Sequence, residues 1–215
     1  MRPFSLAPLA IAAAFIAGCD SSSDPEPADP VRPSPVLSTV PVLDSQGVEL
    51  GEVSAAEIAA VLSEASDAPL AAELVPLIVT FPNQEDDDGE VAGPSGPGVV
   101  GYPTPFNAAL RIALEVPAAE RARFYLVPAV PAEGEAPPQV RSSFLVETPD
   151  GFDGVLIADG PATGGLLTVD LSPQLLGMEY GLYQLALYTD GARSTAGVFY
   201  APCVDGVIVG GAPCE

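Results

Sequence analysis

The chain contains no histidine, no lysine and no tryptophan, and the first two absences exclude several kinds of chemistry. Without histidine, Ser-His-Asp and Cys-His nucleophiles and histidine-ligated metal sites are excluded. Without lysine, Schiff-base chemistry and Ser-Lys dyads are excluded too. Aspartic-protease, phosphate-loop and dinucleotide motifs are also missing. We therefore expect a protein that is not an enzyme, and a carboxylate-dependent hydrolase is the catalytic alternative.

Positive charge is scarce. The chain has seven basic residues, all arginine, and 29 acidic residues, which gives a formal net charge of −22. Such a chain repels nucleic acid, so no nucleic-acid partner is expected. Hydrophobic residues make up 48% of the chain, enough for a packed core, while 25 prolines and 21 glycines indicate many turns and short elements.

The N-terminus carries a short apolar segment, from Phe4 to Ile16, that begins after Arg2 and ends in Ile16-Ala17-Gly18-Cys19. A spanning helix needs about 20 apolar residues, so this segment is too short to remain as one. The order resembles the signal and lipobox of bacterial lipoproteins. The resemblance implies a signal peptide over residues 1–18, cleavage before Cys19 and a covalent lipid on its sulfur. Several acyl chains would hold the protein at a membrane, because a single chain binds only marginally.

The lipobox resemblance also implies a location, which is the extracytoplasmic side of a bacterial envelope membrane. Asp20 favours the periplasmic face of the inner membrane, and the outer membrane is the alternative. In an oxidising compartment the two remaining cysteines, Cys203 and Cys214, are expected to form a disulfide. Closing that loop contributes about 3 kcal/mol in the chain-entropy model.

Composition divides the rest of the chain into three parts. Residues 19–35 are rich in proline, serine and acids and predict a tether. Residues 36–98 predict a small α+β extension that ends in an acidic loop rich in glycine and proline. In this extension Ser54-Ala55-Ala56-Glu57 reads as a capping box that begins a helix over 54–66, and Leu74 to Phe81 reads as a strand.

Residues 99–215 alternate with the period of strands. Leu110, Ile112, Leu114 and Val116 share one face of the first candidate strand, and Arg111 lies on the other. The candidate strands are 109–116, 123–130, 140–147, 154–158, 165–171, 181–188 and 195–201. The pattern predicts a mainly β fold: an antiparallel β-sandwich of about seven strands with a short helix-containing extension before it.

One stretch adds detail to the sandwich. An acid, a glycine and a tyrosine, Glu179, Gly181 and Tyr183, follow a strand in the order seen between strands E and F of immunoglobulin-like domains. The chain is similar to those domains here, although it lacks their strand-C tryptophan and central disulfide. The resemblance implies that Tyr183 is a tyrosine corner whose hydroxyl bonds to upstream backbone.

Two acidic stretches are weak calcium candidates, because calcium takes several oxygen ligands from flexible loops. They contain Asp86 and Asp88 in the acidic loop, and Asp150 and Asp153 in an Asp-Gly turn. A solvated linker and an ordinary turn are the favoured interpretations.

Other side chains have structural interpretations. Arg121 and Arg123 predict a strand edge or a local ion pair rather than an anion site. Tyr183, Tyr188 and Tyr200 are expected to pack in the core or at a sheet edge.

These features lead to one expected function. We expect a membrane-anchored, non-catalytic β-sandwich that binds an unknown envelope protein or has a structural role, with no cofactor other than the covalent lipid. A calcium-dependent adhesion or carbohydrate-binding module is the second hypothesis, and the hydrolase is the third.

Overall fold

The computed structural model describes residues 32–64, 98–132, 137–140 and 145–203. Within these ranges the chain forms eleven strands and one helix, in the order β1 (Val36–Leu37), β2 (Thr39–Leu43), β3 (Glu49–Ser54), α1 (Ala55–Glu64), β4 (Gly98–Tyr102), β5 (Leu110–Val116), β6 (Ala119–Pro131), β7 (Leu145–Glu147), β8 (Asp153–Ala162), β9 (Gly165–Leu171), β10 (Gly181–Thr189) and β11 (Ala192–Tyr200). The predicted fold class, mainly β with one short helix, is confirmed.

Two mainly antiparallel sheets form a sandwich. The smaller sheet has the order β4-β5-β9, and the larger has the order β11-β10-β6-β8-β7, with β1 pairing in parallel with the end of β6. The order β4-β5-β9 is similar to the A-B-E order of an immunoglobulin-like domain, and β11-β10-β6 to its G-F-C order, with β8 and β7 added beyond β6. The seven candidate strands correspond to β5 through β11. Strands β1 to β4 were not predicted, and β6 and β8 extend beyond the predicted ranges. Strand β7 covers only the last three residues of the predicted range 140–147, of which 141–144 lie outside the described residues.

The main core lies between the two sheets. The four apolar residues that alternate along β5, from Leu110 to Val116, are all buried there, as predicted. They meet Phe124 and Leu126 of β6, and Leu185 of β10, across the sandwich. Strand alternation therefore decides which face of each sheet enters the core.

The N-terminal hairpin β2–β3 and helix α1 pack on the outside of the larger sheet. A second core joins Val40, Val53 and Ile58 of these elements to Leu182 of β10 and Phe199 of β11. Every described element belongs to one compact unit, which begins at Arg32.

The hairpin and the segment before it also bond to the sandwich. Leu43 and Thr104 exchange backbone hydrogen bonds of 2.8 and 3.0 Å, which fixes the end of β2 beside the segment after β4. Arg32 pairs with Asp153 at 2.7 Å, and the Pro35 carbonyl accepts a 2.8 Å hydrogen bond from Val130. Residues 32–35, which the sequence assigned to the tether, thus contact the folded body.

Helix α1 begins at the predicted capping box. The Ser54 amide donates to a carboxylate oxygen of Glu57 at 2.9 Å, and the Glu57 amide donates back to the Ser54 hydroxyl at 3.4 Å. The Ser54 hydroxyl and amide hold the pKa of Glu57 below its usual range. The predicted start of the helix is confirmed. The strand predicted from Leu74 to Phe81 lies outside the described residues.

Candidate interaction surface

The outer face of the larger sheet carries an aromatic cluster at the end away from α1. Alternation turns Leu185 and Leu187 of β10 into the main core, and turns Ala186 and Tyr188 outward. The rings of Tyr188 and Tyr125 meet edge to face with centroids 5.6 Å apart. Residues from four structural elements build the cluster: Tyr125, Val127, Phe152, Leu156, Ala186 and Tyr188.

The turn between β7 and β8 folds onto this cluster. The Thr148 amide donates to the Phe152 carbonyl at 2.8 Å, and Gly151, at a φ of +81°, supplies the left-handed residue that closes the turn. This geometry projects Asp150 toward the sheet. Its Oδ2 accepts hydrogen bonds from the Tyr188 hydroxyl at 2.9 Å and from Arg193 Nε at 2.8 Å.

The polar contacts extend across the face. Arg193 also donates to Gln184 at 3.1 Å, and its guanidinium carbon lies 5.9 Å from the centre of the Tyr188 ring. Burial, followed by the acceptor Asp150, raises the pKa of the Tyr188 hydroxyl. Tyr188 therefore remains a hydrogen-bond donor at neutral pH. Together, the contacts among Asp150, Tyr188, Arg193 and Gln184 hold the turn against strands β10 and β11, and we call this group of residues the latch.

Arginine–carboxylate pairs flank the latch. Arg121 makes a two-pronged contact with Asp159, and its Nε lies 2.7 Å from Oδ1. The Arg121 hydrogen bond holds the pKa of Asp159 below its usual range. Arg121 thus forms an ion pair, as predicted, although its partner Asp159 is 38 residues away in the sequence. Arg123 faces Tyr188 on β10 and Asp159 on β8, so it lies between a ring and a carboxylate on the same face.

Two of the three tyrosines singled out in the sequence lie in the main core. Tyr183 and Tyr200 have no solvent exposure, and Tyr188 has 7%, so the predicted core and edge packing is confirmed. The Tyr183 hydroxyl donates to the Glu179 carbonyl, four residues upstream, at 2.7 Å. This is the contact that a tyrosine corner makes. Burial raises the pKa of Tyr183 well above its ordinary value.

Asp150 and Asp153, the calcium candidates of the Asp-Gly turn, each contact an arginine, Arg193 and Arg32 respectively. The described ranges contain no group of three or more histidine, cysteine or acidic side chains placed to hold a metal ion. Asp86 and Asp88 lie outside those ranges, and calcium binding stays a prediction.

The cysteines are described only in part. Cys203 is disulfide-bonded, while Cys214 and the lipidation candidate Cys19 lie outside the described residues, so the pairing of Cys203 with Cys214 stays a prediction. A membrane-crossing helix is absent from the described ranges, where α1 has 10 residues.

A second surface, the hairpin edge at β3, was missed by the sequence reasoning. Its side chains are exposed from Glu49 to Glu52, with Leu50 at 65%. The sequence does contain a signal for the first strand of this hairpin, because Val40 and Val42 alternate with other residues before the turn at Asp44. The proline at position 41 obscured it.

The chain matches no protein-family model, no curated protein and no solved structure. Its resemblance to immunoglobulin-like domains stays a prediction, and strand order and the Tyr183 hydrogen bond are the observations in its favour.

Proposed function

We propose that this protein is an extracytoplasmic lipoprotein, held at a membrane through Cys19, that presents a non-catalytic β-sandwich for protein binding. The observation that carries the proposal is the order of three features along the chain. A lipobox ends at Cys19, twelve tether residues follow, and the compact unit begins at Arg32. At about 3.1 Å per residue, such a tether reaches a few tens of ångströms from a bilayer.

The use of carboxylates in the sandwich supports a non-catalytic role. Asp150, Asp159 and Asp170 each contact an arginine within 2.8 Å. Asp150 also accepts the Tyr188 hydroxyl. Acids committed to ion pairs of this kind hold strands and turns together, whereas hydrolysis needs two acids that converge on a cleft.

The test replaces the sulfur that would carry the lipid. In bacterial cells that express the full chain, Cys19→Ala is expected to move the protein from the membrane to the soluble fraction. Cys203→Ala is the matched control, because it removes a different sulfur and leaves the anchor intact. Intact mass of the wild-type protein should show loss of residues 1–18 and the added mass of acyl chains.

Two outcomes would overturn the proposal. One is a Cys19→Ala protein that stays in the membrane fraction as firmly as the Cys203→Ala control. The other is a mature wild-type protein that keeps its first eighteen residues or carries no fatty acid.

A further inference from the structure

We propose that the edge of β3 that has no strand partner among the described residues is the docking site for the partner, and that the occupant is an extended, positively charged segment that adds to the hairpin as a further strand. This inference rests on the proposed role in protein binding and names the chemistry of the partner. It depends on the backbone at the edge, on the charge beside it and on the rigidity of the hairpin.

The pairing register leaves backbone groups of β3 facing outward. Within the described residues, β3 pairs with β2 alone. Pro41 lies opposite Glu52, and the adjacent pair is Val40 with Val53. The Leu43 amide and carbonyl both bond to Thr104 on the side away from β3, so the backbone of Pro41, two residues earlier, also faces away from β3. Pro41 and Glu52 therefore form a non-hydrogen-bonded pair, as suits a residue without an amide hydrogen, and the amide and carbonyl of Glu52 point away from β2. An added strand would bond to these groups.

The outward groups are confined to a short stretch. Beyond Glu52, the Ser54 amide already donates to Glu57 in the helix cap. Before Glu52, the register shifts between Gly51 and Glu49, so Leu50 lies in a bulge. The docking stretch is therefore Leu50 to Glu52, and a partner segment needs only a few residues in extended conformation.

The negative charge of the β3 edge favours a positively charged partner strand. Glu49 and Glu52 are exposed, and neither belongs to an ion pair in the described part of the chain. The sequence has no basic residue between Arg32 and Arg111. Like charges facing each other across strands repel, so a second copy of β3 is disfavoured. A strand with lysine or arginine opposite Glu52 is attracted, and Leu50, 65% exposed, offers apolar contact.

The edge is held in place before any partner arrives. Val53 is 3% exposed and Ile58 of α1 is fully buried, so one face of the hairpin is fixed to the larger sheet. The paired backbone hydrogen bonds between Leu43 and Thr104 fix its end. A preorganised edge spends little entropy on binding, which favours recognition of a short segment.

The probe is a labelled hexapeptide of alternating lysine and valine, titrated into the purified full chain and followed by fluorescence anisotropy. Glu52→Pro removes the outward amide without removing a hydrogen bond to β2. Glu52→Gln is its matched control, since it removes the charge alone. We expect Glu52→Gln to raise the Kd about threefold, and Glu52→Pro to raise it by about tenfold more.

Two further measurements complete the test. A peptide of alternating glutamate and valine should bind far more weakly. A lysine–valine peptide with N-methylated backbone amides should lose binding to the wild-type chain, which tests strand addition even where Glu52→Pro lowers the Tm.

The inference is wrong if the N-methylated peptide binds as tightly as its parent, or if the two peptides of opposite charge bind equally well. These results are separate from the fractionation of Cys19→Ala. Peptide binding with a failed anchor overturns only the proposed location. A confirmed anchor without peptide binding overturns only this inference.

Discussion

Two buried tyrosines on neighbouring strands offer a matched test of what a buried hydroxyl contributes to stability. Tyr183 of β10 and Tyr200 of β11 are both completely buried in the main core. The Tyr183 hydroxyl donates to the Glu179 carbonyl at 2.7 Å, whereas the Tyr200 hydroxyl has no hydrogen-bond partner in the described part of the chain. Replacing each by phenylalanine removes one oxygen and leaves the ring in place.

The two replacements are expected to change the free energy of unfolding in opposite directions. Tyr183→Phe removes a hydrogen bond that holds the turn before β10, and the expected loss is about 1–3 kcal/mol. Tyr200→Phe removes a polar atom that is buried without a partner, so the free energy of unfolding should stay the same or rise by about 1 kcal/mol. The Tyr200 ring keeps its stacked contact with Phe106, at 5.3 Å between centroids.

Urea unfolding followed by circular dichroism measures both effects, since tyrosine fluorescence itself changes with these substitutions. In a domain of this size, each kcal/mol corresponds to about 2–4 °C in Tm. Unchanged slopes against urea would show that the two variants unfold from the same native structure. A Tyr200→Phe protein that loses as much stability as Tyr183→Phe would refute the hydrogen-bond argument.

Three other substitutions test the surface and the core. Asp150→Asn should lower the free energy of unfolding by about 1 kcal/mol more than Asp153→Asn in urea unfolding, because Asp150 alone holds both a tyrosine hydroxyl and an arginine. Asp159→Asn should cost about 1 kcal/mol at neutral pH. Since the folded protein holds the Asp159 pKa below its unfolded value of about 3.9, this contribution is full above that value and should vanish in unfolding curves recorded as the pH falls through the lower, folded pKa. Gly101→Ala should cost about 1–3 kcal/mol by calorimetry, because its Cβ would lie 2.8 Å from a methyl group of Leu185; a Gly101→Ala protein as stable as wild type would contradict this close packing.

Most of the confirmed predictions depend on interactions between residues that are close together in the sequence. The helix start at Ser54 depends on contacts within four residues, and the buried face of β5 depends on alternation within seven. The Tyr183 hydrogen bond also closes over four residues. In each case the residues that interact are neighbours in the chain, so spacing alone identified them.

The latch and the contact that fixes the hairpin to the sandwich could not be found in this way. Asp150 and Tyr188 are 38 residues apart, and the Leu43–Thr104 contact joins segments 61 positions apart. The Asp-Gly turn around Asp150 predicts a change of direction and does not say which side chain the aspartate will meet. Only the sheet order, which brings the β7–β8 turn over β10 and β11, decides that.

By itself, the sequence determined the class of fold, the strand faces, the helix cap and the absence of histidine and lysine chemistry, because period, capping and composition are properties of short segments or of the whole chain. The tertiary structure decided which acids pair with the few arginines, which tyrosine hydroxyl has a partner and which strand edge lacks one within the described ranges. Those outcomes depend on the pairing of strands distant in sequence, which neither the period of a short segment nor the composition of the whole chain specifies.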